Sequence, residues 1–233
     1  MASRSIHQFA EKVAVVSDIS HPLGRAAALQ LALLGAFVIA GERTEADGDT
    51  IAEMIELGTL AGSAKIAGDE KDGEKLAAAA GQSFGRIDLL LVCENIGGDA
   101  GETFAHAEGI SGTPNYGVFA RAEEIIAAAE PLMSQRPKPK IVRCFSTHDF
   151  PDELRRAVNA AAREHSETSA ANFDAKFRAN TMVVHEDKAE TQGGGVLELR
   201  PRSSVAWDDA ARVAVYLLSS EATSLNGQCL VIK

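Results

Sequence analysis

Short apolar runs alternate with longer amphipathic or alanine-rich stretches along the whole chain. Lys12–Val16 (KVAVV), Phe37–Ala40 (FVIA), Ile87–Cys93 (IDLLLVC), Lys140–Phe145 (KIVRCF), Ala179–Val184 and Gln228–Ile232 (QCLVI) have the length and continuity of buried strands, and Ala64–Ala67 reads as a weaker one. Between them the spacing predicts helices over Gly24–Leu34, Thr50–Leu57, Glu74–Phe84, Val118–Met133, Pro151–Phe173 and Asp208–Ser219. Gly35 stops the first of these, and Pro137 and Pro139 end the fourth. Strand and helix in strict alternation predict an α/β fold, a Rossmann-like doubly wound parallel sheet of seven strands with helices on both faces. No linker is long or polar enough to divide the chain, so residues 1–233 are expected to form a single domain.

Composition narrows the function. Of 233 residues, 45% are hydrophobic, too many for a disordered chain and enough for a substantial core. Lysine and arginine number 23 against 33 aspartates and glutamates, a formal charge of −10 that disfavours nucleic acid and anionic membrane as partners. The longest apolar stretch, Ala26–Ala40, is interrupted by Gln30 and Gly35 and falls short of a membrane span. The segment Met1–Ala10 is polar and lacks a signal-peptide core, so the expected compartment is the cytoplasm. Cys93, Cys144 and Cys229 lie in or beside strands and read as reduced core thiols. The six histidines show no paired ligand spacing, so no metal site is expected.

The fragments EKVAVV, GRAAALQLALLGAFVIA, FGRIDLLLV, KIVRCFS and DDAARVAVYLLSSEATSLNGQCLVI follow one another in an order that resembles the short-chain dehydrogenase/reductase superfamily, from about Glu11 to Ile232. The resemblance implies an NAD(P)-dependent oxidoreductase built on four motifs, and each of them is altered here. In the glycine-rich turn after the first strand the family has T-G-x-x-x-G-x-G. This chain has Ser17, Asp18, Ile19, Ser20, His21, Pro22, Leu23 and Gly24. Only the last glycine remains. Asp18 brings a carboxylate to where a pyrophosphate would lie, and Pro22 removes a donor N–H. Like charges a few ångströms apart cost on the order of 1–4 kcal/mol. The alternative reading is that Asp18 or Ser20 caps the following helix, with Pro22 in its first turn.

At the end of the second strand, Glu42 stands where the family often holds the adenosine ribose, with Arg43 beside it. If a cofactor bound, Glu42 would favour NAD over NADP; otherwise the two form a solvated pair. The N-N-A-G motif after the fourth strand becomes Val92, Cys93, Glu94 and Asn95, with Glu94 adding a second carboxylate. In the catalytic set, Ser146 fits the family serine, Asn159 falls at the tyrosine and Arg163 at the lysine. Asparagine cannot titrate and arginine cannot readily be tuned. The chain has only two tyrosines, Tyr116 and Tyr216, followed four residues later by Ala120 and Ser220, so no Y-x-x-x-K exists at any alignment. The helper asparagine also fails by position, with Pro114 at its site. Ser146, His148 and Asp149 are too close in sequence to converge easily as a hydrolase triad.

The expectation is a catalytically degenerate relative of the family that binds no cofactor. It would work as a non-catalytic partner or scaffold in a homo-oligomer, or in a hetero-oligomer with an active paralogue. A stripe on the fifth helix (Leu154, Ala157, Val158, Ala161, Ala162) could serve that interface or simply pack on the sheet. Residues 185–199, with three consecutive glycines at 193–195, sit where the family has its substrate lid. The alternatives are an active oxidoreductase or lyase using Ser146, His148 and Arg163, and a small-ligand sensor.

Overall fold

The structure, a computed structural model, describes residues 8–96, 119–148, 150–173, 176–186 and 207–232. Seven strands occur in chain order: β1 (Val13–Val16), β2 (Phe37–Glu42), β3 (Ala61–Lys65), β4 (Leu89–Ile96), β5 (Lys140–His148), β6 (Arg178–Glu186) and β7 (Cys229–Ile232). Among the described residues six helices separate them: α1 (Pro22–Leu33), α2 (Asp47–Glu56), α3 (Asp72–Phe84), α4 (Ala120–Met133), α5 (Asp152–Asn172) and α6 (Trp207–Leu218). The strands form one sheet in the order β3-β2-β1-β4-β5-β6-β7, and every pairing is parallel. The expected seven-stranded doubly wound fold is the one found.

A parallel sheet covered on both faces buries both sets of alternating side chains, which is why its strands read as unbroken apolar runs. One core lies between the sheet and α1 and α6, with Val16, Leu31, Leu91, Ala214 and Leu218 fully or almost fully buried. The other lies under α3, α4 and α5, with Val15, Leu76, Leu90, Ile126 and Phe145. The α5 stripe belongs to this second core. Val158, Ala161 and Ala162 are buried within the chain and Leu154 packs beside them, while Ala157 is half-buried, so most of the stripe packs on the sheet.

Several boundaries differ from the sequence reading by two or three residues. β3 is Ala61–Lys65, displaced towards the N-terminus from the expected Ala64–Ala67. Its sequence AGSAK is only partly buried, so its position is set by pairing with β2, Val38 against Ala61 through Glu42 against Lys65, and not by an apolar pattern. The start of the expected lid, His185 and Glu186, is the end of β6. Residues 187–199, and with them the glycine run, lie outside the described residues, as do residues 97–118 with Tyr116 and Pro114.

Strand order reverses between β1 and β4, so a crevice opens at their C-terminal ends. Two glycines let the backbone close up there. A Cβ on Gly24 would stand 1.9 Å from the Asp18 carbonyl oxygen, and one on Gly41 would stand 1.9 Å from that of Ser17. The retained glycine of the family motif is therefore explained by helix–strand packing alone. Gly24→Ala is expected to destabilise the chain by about 1–3 kcal/mol or more, since backbone, not a movable side chain, occupies the space. Urea unfolding of the purified variant measures this directly.

Candidate functional site

The crevice at the β1–β4 switch is a cavity of about 340 Å³, lined by Asp18, Ser20, His21, Pro22, Arg43, Cys93, Glu94, Asn95, Arg121, Ser146, Glu186 and Trp207. That is near the lower end of the range for small-molecule sites. Six of the positions read from the sequence meet here: Asp18, Pro22, Arg43, Glu94, Asn95 and Ser146.

The β1–α1 turn uses its donors internally. His21 is the N-cap of α1, and its Nδ1 accepts from the Leu23 N–H at 3.1 Å. Pro22, the first helical residue, offers no N–H. Asp18 accepts from the Ser20 N–H at 2.9 Å, and the Ile19 N–H bonds the Gly41 carbonyl at 2.9 Å. The helix is thus capped by His21, where Asp18 or Ser20 was the expectation. Asp18 has a different partner. Its Oδ2 accepts from Arg43 Nε at 2.5 Å, an ion pair spanning the turn and the end of β2. The carboxylate read as an uncompensated charge is neutralised by a cation 25 residues away. Ser17 serves the sheet, its hydroxyl accepting from the Cys93 N–H at 2.8 Å. Leu23 and Gly24 are buried against the core.

Glu42 turns away from the crevice. It accepts from Ser63 Oγ at 2.7 Å and lies 3.3 Å from Lys65 Nζ, both on β3. Next to it, Asp47 at the start of α2 accepts from Ser20 Oγ and from the Arg43 and Thr44 N–H groups. Burial raises the Asp47 pKa, but these hydrogen bonds outweigh it and hold the carboxyl below its ordinary range.

On the other side, Arg121 of α4 donates to Glu94 at 2.7 Å and to Asp72 at 2.9 Å. Asp72 is fully buried at the start of α3 and also accepts from the Ala67 and Gly68 N–H groups. Burial would raise its pKa; these bonds, with Lys75, drive it well below the carboxylate range. Glu94 is less well served. Its Oε1 is buried without a partner, and burial raises its pKa against the partial compensation of Arg121.

At the floor of the crevice, Ser146 Oγ lies 2.7 Å from His21 Nε2, while Trp207 meets the His21 ring edge-on at 5.5 Å. Because Nδ1 of His21 accepts a backbone N–H, the proton of the neutral ring sits on Nε2, and His21 donates to Ser146. In this state His21 cannot take the Ser146 proton. A serine nucleophile activated by a histidine base is therefore absent from this pair.

The other two catalytic-set positions lie elsewhere. Alternation along β5 turns Thr147 to the face opposite Ser146. Thr147 bonds His185 Nδ1 at 2.7 Å, and His185 Nε2 donates to Asn159 Oδ1 at 3.0 Å. Thr147 and His185 are almost completely buried. Arg163 is exposed and lines a separate open groove with Glu167, Asn226 and Gly227, beside the Cys229 thiol, whose pKa burial pushes up to about 11. The sequence spacing thus places Ser146, Asn159 and Arg163 in three different settings. His148 lies 3.2 Å from Glu186, and Asp149 is outside the described residues.

The sequence reading missed His21, Arg121, Asp72, Glu186 and Trp207. A histidine directly before a proline at a helix start was the one local signal available for His21. The others are joined to the crevice only by the fold. Among the described residues no group of histidine, cysteine and carboxylate side chains could hold a metal ion, and no helix is long and apolar enough to cross a membrane.

Burial lowers the His21 pKa below its ordinary value of about 6.5, with Asp18 and Glu186 opposing in part. Between the two pKa values the unfolded chain holds more protons, so this contribution is complete above about pH 6.5 and is lost as pH falls. Urea midpoints measured at about pH 7.5 and pH 5.5 are expected to drop on acidification. His21→Asn, which keeps a capping acceptor but cannot titrate, should flatten that slope; an unchanged slope would contradict the assignment.

No protein-family model matches the chain. An L-rhamnose 1-dehydrogenase (NAD(P)(+)) of Azotobacter vinelandii is 37% identical over 87 residues, a match that covers 35% of this chain and 34% of that protein's length. Solved structures match over nearly the whole chain. A hydroxysteroid dehydrogenase from Escherichia coli aligns with a TM-score of 0.72 at 19% identity, over 99% of this chain and 98% of that one. A Pseudomonas syringae protein solved as a short chain dehydrogenase gives 0.71 at 20% identity, over 99% and 98%. A citronellol catabolism dehydrogenase of Pseudomonas aeruginosa gives 0.68 at 20%, over 97% and 95%. At such identities the likeness establishes the fold. The seven-stranded parallel sheet matches these solved structures over nearly the whole chain, and the chain carries the short-chain dehydrogenase/reductase fold.

Proposed function

We propose that this chain is a catalytically degenerate protein on the short-chain dehydrogenase/reductase fold, acting as a non-catalytic subunit or scaffold beside a second copy or an active paralogue. The observation that carries the reading is at position 159. The site expected to hold a phenol holds an asparagine, whose carbonyl is engaged by His185 in a chain running back to Thr147. Neither amide nor guanidinium supplies the tunable proton that hydride transfer to or from a carbonyl needs.

The family's NAD(P) is the cofactor such a fold implies, and the crevice does not fit it. A pyrophosphate needs backbone N–H groups at the helix start. Here the Ser20 and Leu23 N–H groups are engaged within the turn, Pro22 has none, and the Asp18–Arg43 pair bridges the space. Glu42, the residue that would favour NAD over NADP, is engaged by Ser63 and Lys65. No reaction step is assigned through a dinucleotide.

A second reading, binding of a small ligand without turnover, is favoured by one feature: Glu94 lines the cavity, and its buried Oε1 has no partner. The curated relative is itself a dehydrogenase, and an active NAD(P)-dependent oxidoreductase is the reading that the experiment must separate from both.

Thermal unfolding with NAD, NADH, NADP and NADPH at about millimolar concentration is expected to leave the midpoint unchanged, whereas a bound cofactor would raise it. The pure chain should show no turnover of alcohols or ketones. The double variant Asn159→Tyr, Arg163→Lys should also remain inactive, because both side chains lie outside the crevice. A midpoint rise of several degrees, or turnover by the pure chain, would overturn the non-catalytic reading. Isolation from the source organism with a subunit bearing an intact Y-x-x-x-K would support the paralogue form.

A further inference from the structure

The opposite end of the sheet has a different character. Around the N-terminal ends of β5 and β6 lies a second cavity of about 340 Å³, whose lining holds four cations, Lys138, Lys140, Lys176 and Arg178, and no carboxylate. In a chain of net charge −10 this concentration is unexpected. More cations surround it. Lys12, Arg86 and Arg136 gather on Asp88, which is buried and which also accepts the Val13 N–H at 3.0 Å. Asp88 is thus shared among three cations outside the cavity.

The cations are held in place by the fold. Arg178 Nη2 donates to the Leu217 and Ser219 carbonyls at the end of α6, which fixes the guanidinium, while its Nε is buried without a partner. Lys176 Nζ donates to the Ser134 carbonyl at 2.8 Å, beyond the end of α4, and lies over the Phe177 ring. Lys140 is half-buried. Desolvation, and then the charges of Arg178 and Lys12, lower its pKa to about 8 against the pull of Asp88. A lysine so placed gains from an anion that would restore its full charge.

The remaining walls define the rest of the ligand. Pro137, Pro139 and Phe177 provide apolar surface, and Pro139 and Phe177 are buried. Ser220 and Thr223 place hydroxyls at the rim. We infer that this cavity is a binding site for a small organic anion, a phosphate or carboxylate carried on a compact apolar body. The anion would meet Lys138, Lys140 and Lys176, and the body would lie against Pro137, Pro139 and Phe177. The concave shape and volume suit a small molecule better than an acidic peptide laid across a surface. The site stands at the opposite end of the strands from the crevice and does not depend on how the crevice is read.

Phenyl phosphate, benzoate and inorganic phosphate serve as probes for calorimetry on the full chain. Phenyl phosphate and benzoate are expected to bind saturably with one site per chain, and inorganic phosphate more weakly, because it lacks the apolar body. Lys140→Gln and Lys138→Gln should each weaken phenyl phosphate at least tenfold, and Arg212→Gln, which removes an exposed cation outside the cavity, should leave it unchanged. Circular dichroism melts of the lysine variants, with midpoints near that of the parent, separate loss of binding from loss of fold. Absence of heat with all three probes would overturn the site, as would equal affinity in Lys140→Gln. Binding of an acidic peptide with no binding of phenyl phosphate would overturn the small-molecule assignment.

Discussion

The backbone at the C-terminal end of β1 is packed so closely that two positions have no room for a side-chain carbon. Gly24 brings α1 against the Asp18 carbonyl, and Gly41 brings β2 against that of Ser17. Everything in the crevice follows from this fit. It sets the start of α1, which puts His21 where its ring can cap the helix and reach Ser146 on β5, 125 residues later. It also sets the end of β2, which carries Arg43 to Asp18. In a dinucleotide-binding α/β fold such a close approach admits a pyrophosphate to the helix start. Here the chain's own side chains occupy that position, so the architecture of a binding turn is kept while its donors are used for capping and pairing.

Two of the changed carboxylates in the crevice are each compensated by an arginine. Asp18 alone would leave a carboxylate facing an anion site, and Arg43 removes that charge. Glu94 alone would leave another, and Arg121 answers it while also bonding the buried Asp72. A buried ion pair adds little net stability once desolvation is counted, but removing one member leaves an uncompensated charge. Such pairs resist stepwise reversal. Restoring a glycine at position 18 would strand Arg43, and restoring an alanine at position 94 would leave Arg121 with Asp72 alone.

The fold was legible because parallel strands buried on both faces write themselves as apolar runs. β4 and β5 are the clearest cases, from Leu89 and from Lys140. β3 was displaced because an edge strand of small, half-exposed residues carries no such run; its place is fixed by Val38 and its neighbours on β2. The site was legible as a list of altered positions and illegible as an arrangement. Nothing local links Asp18 to Arg43, or His21 to Ser146, because those contacts exist only after the sheet has formed. The position of Asn159 in the sequence does not reveal that Thr147, on the other face of β5 from Ser146, is joined to it through His185.

The distribution of charge along the strands also bears on the helices. Each helix axis carries a partial positive pole at its N-terminus and a partial negative pole at its C-terminus. In this fold every N-terminal pole points to the crevice end. Asp47 and Asp49 sit in the first turn of α2, Asp72 and Glu74 in that of α3, Glu123 in that of α4, Asp152 and Glu153 in that of α5, and Asp208 and Asp209 in that of α6. Arg86, Arg136 and Lys176 follow the ends of α3, α4 and α5. The carboxylates answer the poles of these five helices, while α1, whose first turn holds no acidic residue, is capped by His21. Acidic first turns thus gather where the strands end, and Lys138, Lys140, Lys176 and Arg178 gather where β5 and β6 begin, so the charge of the chain is divided along the strand direction.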